Sequence, residues 1–262
     1  MTNVDKRVRE HYEFVNPEDY VMIGIQGSQN YGLETEISDV DTKMLLLPSF
    51  ADIVHNRKPV STTRVLENDE HCDLKDIRLY FATLRKQNIN FVEILFSKNQ
   101  IVNPIYADAW QRIVDYREEI ARMDTHAAVK CMKGMAMEKL AALQHPYPNK
   151  VEVLAEYGYD PKQLHHILRL HYFIENYMKG MSYAECLDTP HKEYLKRLKL
   201  NGAGMGAETA VRRANSCVDC IKEAADNFRE HTPHVVDLDA AIVLDGAIEE
   251  ILKIAFKREL GL

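Results

Sequence analysis

The stretch IGIQGSQNYGLETEISDVDTKMLLL (Ile23–Leu47) decides how this chain is read. It opens on an apolar run ending in Gly27-Ser28, crosses a short polar loop, and resumes as a second apolar run headed by Ser38-Asp39-Val40-Asp41. Its β-branched and apolar bias predicts strands over Val21–Ser28 and Asp39–Leu47, the second stopped by Pro48. Strand residues two apart share a face, so Asp39 and Asp41 are expected to project together, with Lys43 continuing that face and Val40 turned away. Two carboxylates on one face suit a hard divalent cation such as Mg²⁺, which also takes oxygens from a nucleotide's phosphates. Gly27 lets backbone approach closely, and Ser28 with nearby N–H groups can hold phosphate oxygens. Together these are the parts of a metal-assisted phosphoryl-transfer site.

Outward from this stretch the pattern is mixed, then helical. Phe50–Thr63 reads as a loop or short helix, and Arg64–Leu74 as a third strand that Asn68-Asp69 can break into a turn. Ile77, Tyr80, Phe81 and Leu84 define a helical face over Ile77–Lys86, whereas Phe91–Phe96 fits strand or helix equally. Pro104 suits a first helical turn, and Thr125 is a plausible N-cap for a helix reaching about Leu143. HPYPNK (His145–Lys150) breaks that helix, and Asp160-Pro161 opens the next as N-cap and first residue. After the turn Asn201–Gly206, two long helices are expected over Ala207–Glu230 and Val236–Arg258. The division falls near Ile120–Thr125, giving a catalytic domain over 1–122 and a helical C-terminal domain over 123–262.

Lys162, His166 and Arg169 stand at i, i+4 and i+7, one stripe of a helix. Three potential cations there can bind a triphosphate or a substrate backbone, or form a solvated basic face. Leu164, Ile167, Leu168 and Leu170 supply the side that packs. Glu93, set among apolar neighbours, calls for a partner if buried, and Lys162 or Arg169 could supply it. Tyr31 could stack on a base or simply close its loop. Cys217, Cys220, His231 and His234 have spacings unlike a zinc finger and lie in what reads as helix. No strand precedes Gly202, Gly204 and Gly206, so a dinucleotide fingerprint is not supported.

The formal net charge of −7 argues against tight non-specific binding to a polyanion, although a local basic patch could still take RNA. No apolar run is long enough to span a bilayer, no secretory signal is evident, and the five scattered cysteines read as reduced thiols. A cytoplasmic protein without a membrane partner is therefore expected. Oligomeric state is left open.

Three ordered patches resemble the polymerase-β-like nucleotidyltransferase superfamily, and within it a subfamily associated with RNA repair. They are GSQNYGLETEISDVDTK (Gly27–Lys43), DLKDIRLYFATLRKQNINFVEILFS (Asp73–Ser97) and YGYDPKQLHHILRL (Tyr157–Leu170). Lys43 stands where that family usually has Arg, which is planar and bidentate, so the two are not equivalent. The resemblance implies an α+β (α/β) catalytic domain with a small mixed sheet, followed by a mainly helical C-terminal domain. It implies Asp73 as a third carboxylate, binding metal and orienting the attacking hydroxyl, where the residues alone would equally allow a helix N-cap. Glu67 and Glu70 are fallback positions. The implied reaction transfers a nucleotide from a nucleoside triphosphate to an acceptor hydroxyl. Asp39, Asp41 and Asp73 would hold Mg²⁺ or Mn²⁺, and Gly27, Ser28, Lys43, Lys162, His166 and Arg169 would hold the nucleotide. The acceptor is an RNA end, or a protein or small hydroxyl compound. A non-catalytic nucleotide- or nucleic-acid-binding module is the rival reading.

Overall fold

The computed structural model describes residues 3–36 and 38–262. In chain order the elements are α1 (Asn3–Val15), β1 (Tyr20–Ile25), β2 (Thr42–Leu46), α2 (Phe50–Val54), β3 (Ser61–Val65), β4 (His71–Asp76), α3 (Ile77–Arg85), α4 (Ile89–Val92), β5 (Gln100–Val102), α5 (Ala107–Asp115) and α6 (Arg117–Ala121). Helices follow: α7 (Thr125–Ala142), α8 (Val151–Tyr157), α9 (Pro161–Met178), α10 (Tyr183–Leu187), α11 (Lys192–Asn201), α12 (Ala207–His231) and α13 (Leu238–Glu259). The chain divides into two compact units. The first holds Met1–Asn30, Glu36–Asp124 and Val236–Leu262, and the second holds Tyr31–Thr35 and Thr125–Val235. This is the α+β architecture expected: a small mixed sheet, then a largely helical part.

In the first unit the sheet order is β3-β4-β2-β1-β5. Only the β2–β4 pair is parallel; β1 runs antiparallel to both β2 and β5, and β3 antiparallel to β4. Strand alternation sorts the side chains into two faces. Ile23, Ile25, Met44, Cys72 and Leu74 form a buried cluster with Val8 of α1. Lys43 and Asp73 belong to the opposite face, and α3 packs its own stripe of Ile77, Tyr80, Phe81 and Leu84 into the interior. The last helix, α13, returns to this unit and buries Leu244, Ala247 and Ile251.

Several local expectations shift. The first strand ends at Ile25, and Gly27–Tyr31 is a 3-10 turn. The second begins at Thr42, leaving Asp39 and Asp41 just before it. The predicted third strand is a hairpin, β3 and β4, whose turn carries Asp69 at φ 62°. The ambiguous Phe91–Phe96 is helical, as α4 and a following 3-10 turn. Pro104 precedes rather than starts its helix, since α5 begins at Ala107.

The second unit is a helical bundle in which α9 contributes Leu164, Ile167, Leu168, Leu170, Phe173 and Ile174 to the core. Its start follows local chemistry: the Asp160 side chain accepts the Lys162 N–H at 2.9 Å and Pro161 fills the first turn. No helix among the described residues is long and apolar enough to cross a membrane.

Candidate functional site

The register of three strands brings the motif residues to one end of the sheet. Antiparallel pairing sets Ile25 opposite Thr42 and Gly24 opposite Lys43, so β1 ends where β2 starts. Parallel pairing sets Thr42 beside Cys72 and Lys43 beside Asp73. Gly27-Ser28, Asp41 and Asp73 therefore gather at the same end of three adjacent strands.

Asp41 is fixed although it lies outside the strand. Its carbonyl accepts the Gln26 N–H at 2.9 Å, and its Oδ1 accepts the His71 N–H at 3.0 Å, with His71 Nδ1 at 3.3 Å. Asp39, two residues earlier, is exposed. Between them Val40 is buried in the core and its N–H is donated to Glu70 Oε1. Val40 is thus set apart from the more accessible Asp39 and Asp41, but without regular strand geometry to enforce a shared face for its neighbours.

Asp73 lies in the middle of β4, and the helix N-cap that might have explained it is Asp76 instead. Asp73 Oδ1 accepts the Thr63 hydroxyl at 2.6 Å and Oδ2 accepts the Gln26 amide at 3.2 Å. Burial raises its pKa, but those hydrogen bonds and the charges of Lys43 and Lys75 outweigh it, leaving the carboxyl below its ordinary range. It is ionised at neutral pH.

Lys43 is 2% exposed, so it is no surface lysine. Nζ donates to the Asn90 carbonyl at 2.9 Å and sits 4.4 Å from the centre of the Phe91 ring. Burial depresses its pKa, against the opposing pull of Glu93 and Asp73. Glu93 is also buried, and Oε1 accepts the Gly27 N–H at 2.9 Å. This engages the one backbone donor Gly27 could have offered a phosphate. Gly27 has φ 75°, and nothing lies within 4 Å of where a Cβ would stand, so the turn faces open space.

The stripe on α9 belongs to the second unit and is less cationic than expected. Lys162 is exposed. Burial, then the neighbouring charges of Arg169 and His165, push the His166 pKa well below its usual value, so the ring is neutral at pH 7. Arg169 is 8% exposed, with its guanidinium 3.9 Å from the centre of the Tyr31 ring. Tyr31 is itself buried under that cation, which identifies it as a loop-closing aromatic. His165, beside the stripe, bonds the Leu195 carbonyl at 2.9 Å. Cys217 and Cys220 lie within the continuous helix α12.

Gln26, Thr63 and His71 are the site residues that sequence reasoning missed. Each is a common polar residue whose role comes only from a neighbour across the sheet. A strand-pairing estimate placing Thr63 opposite Asp73 was the one signal that could have found it.

The donor set is all oxygen, as a hard cation requires. Among the described residues no three acidic, His or Cys side chains are gathered into one metal-holding group. Asp41, just before β2, and Asp73, in the adjacent β4, carry carboxylate oxygens of the kind Mg²⁺ takes; that cation keeps several waters and needs only one or two carboxylates beside substrate phosphates.

No protein-family model and no curated protein matches the chain. Among solved structures it is similar to a nucleotidyltransferase-like protein from Exiguobacterium sibiricum, with 13% identity, 99% of this chain and 92% of that chain covered, and a TM-score of 0.33.

Proposed function

We propose that the chain is a metal-dependent nucleotidyltransferase. The observation that carries this is the convergence of the Gly27 turn, Asp41 and an ionised Asp73 at one end of three paired strands. An acceptor hydroxyl would attack the α-phosphorus of a nucleoside triphosphate. One O–P bond forms, the bond to the bridging oxygen breaks, and pyrophosphate leaves with the electron pair. Asp41 and Asp73 would hold Mg²⁺ or Mn²⁺, with Asp39 alongside. The cation would neutralise phosphate charge and favour loss of the hydroxyl proton. Asp73 would orient that hydroxyl and take its proton.

Ser28 and the open space over Gly27 offer room for phosphate oxygens. Lys43, being buried, would act by its charge on Asp73 rather than by touching phosphate. In the second unit, Lys162 is the exposed member of its stripe. The three-patch resemblance favours an RNA end as acceptor, with a protein or small hydroxyl compound as alternatives.

A non-catalytic nucleotide-binding module is the second reading. It is favoured by Asp73 having both oxygens occupied and by the lack, among the described residues, of a metal-holding cluster of three such side chains. Incubation with each α-labelled nucleoside triphosphate, Mg²⁺ or Mn²⁺, and total RNA or cell extract separates the two. Transfer lost at least about 100-fold in both Asp41→Asn and Asp73→Asn supports catalysis, in line with the loss of an electrostatic group from such a site. Nucleotide binding without transfer supports the module.

A further inference from the structure

We propose that Glu70 is a positioning residue that, anchored by the N-terminal helix, holds the Asp39-Val40-Asp41 segment in shape to receive a cation. The inference rests on the metal-site reading above and gives it a supporting layer that the motif does not contain.

Glu70 is fully buried, an expensive place for a carboxylate unless it is paired. The structure surrounds it with donors. Arg7 Nε donates to Oε2 at 3.1 Å, and a second Arg7 nitrogen pairs with Oε1. His11 Nε2 lies 3.1 Å from Oε2 and Asn68 Nδ2 donates at 2.9 Å. The remaining donor is the backbone N–H of Val40. Burial alone would raise the Glu70 pKa, but these hydrogen bonds and the Arg7 charge prevail and lower it.

The geometry grips Asp41 from both sides. On one side Glu70 holds Val40. On the other, His11 Nδ1 lies 2.8 Å from the Thr42 hydroxyl. Both holds trace back to α1, through Arg7 and His11. A buried ionic cluster adds little net stability compared with an apolar replacement of the same shape. What it can supply is a unique backbone position. Asp39 and Asp41 flank the residue so fixed; neither lies in a regular strand, and Asp41 is held besides by its bonds with Gln26 and His71. Partners that orient metal ligands typically change metal affinity by roughly 10–100-fold when altered.

The test uses the full chain and Mn²⁺ as probe, counting free Mn²⁺ by electron paramagnetic resonance. Glu70→Gln keeps the shape and one acceptor oxygen while removing the charge. Arg7→Met loosens the anchor at a side chain partly open to solvent. Hydrogen exchange at the Val40 amide is followed by NMR in each. The expected result is a Mn²⁺ Kd raised about 10-fold or more in Glu70→Gln, a smaller rise in Arg7→Met, and faster Val40 exchange in both. A purely structural Glu70 would lower stability and leave the Kd of the folded fraction unchanged. A Kd within about twofold of the unaltered protein in the folded variants overturns the proposal. If Glu70→Gln does not fold, Arg7→Met decides alone. Failure of the unaltered protein to bind Mn²⁺ would instead overturn the metal-site reading, and this inference with it.

Discussion

Replacing Lys43 by Met tests the electrostatic logic of the sheet end, because methionine fills similar volume and removes only the charge and its donors. Lys43 donates to the Asn90 carbonyl and lies over Phe91, with the charges of Glu93 and Asp73 nearby. A hydrogen bond from a charged group contributes roughly 1.5–3 kcal/mol. A desolvated cation–π contact adds up to about 2 kcal/mol. Against these stands the desolvation cost of the ammonium, which the substitution relieves and which its depressed pKa records. Glu93 is buried nearby and its charge acts on Lys43, which adds a Coulombic share to the loss. Partial relief of desolvation brings the expected net loss to about 3 kcal/mol.

Adding Glu93→Gln should restore part of it, since the glutamine carbonyl can still accept the Gly27 N–H. The double variant is then more stable than the two single losses predict by about 1–3 kcal/mol. Urea unfolding read by tryptophan fluorescence measures this. The chain's single tryptophan, Trp110, is buried in the first unit and so reports on the unit that holds the pair. Additivity within about 0.5 kcal/mol would refute the coupling of Lys43 to Glu93.

Gly27→Ala should cost about 1–2 kcal/mol by the same fluorescence assay, the strain of a left-handed residue, because no atom obstructs the new methyl. A much larger loss would mean that the space over Gly27 is filled. Asp160→Ala removes the N-cap of α9 and the ion pair that Lys150 makes at 3.0 Å, and should cost about 1–2 kcal/mol. The expected change appears in the helical circular-dichroism melt and leaves Trp110 fluorescence unaltered. Asp73 and Glu70 both have folded pKa values below their ordinary ones, so the unfolded chain binds more protons as acid is added. The stability they contribute is present above about pH 4–5 and is lost as pH falls through their folded values. Asp73→Asn should flatten the acid limb of the stability–pH curve, and an unchanged slope would contradict the depressed pKa.

The sequence alone determined what local chemistry can determine. Asp160-Pro161 starts a helix because a capping side chain and a fixed φ act within one turn. The apolar stripe of α9 predicts its buried face for the same reason. Asp39 and Asp41 stood out because two acids at that spacing after Gly-Ser are legible without a fold.

The tertiary structure decided which groups meet. Asp73 could be read as a helix cap or a strand acid until the parallel β2–β4 register set it beside Lys43. Lys43 is expected on the face of the aspartates, but only the fold shows that burial and the Asn90 carbonyl enclose it. In the basic stripe at 162, 166 and 169, packing neutralised His166 and buried the Arg169 cation against Tyr31, leaving Lys162 exposed. The C-terminal helix, indistinguishable by composition from those before it, belongs with the sheet. Glu70 needed Arg7 and His11 from a helix some sixty residues away in sequence. Charge, desolvation and strand register are properties of neighbours, and neighbours distant along the chain are set only by the fold.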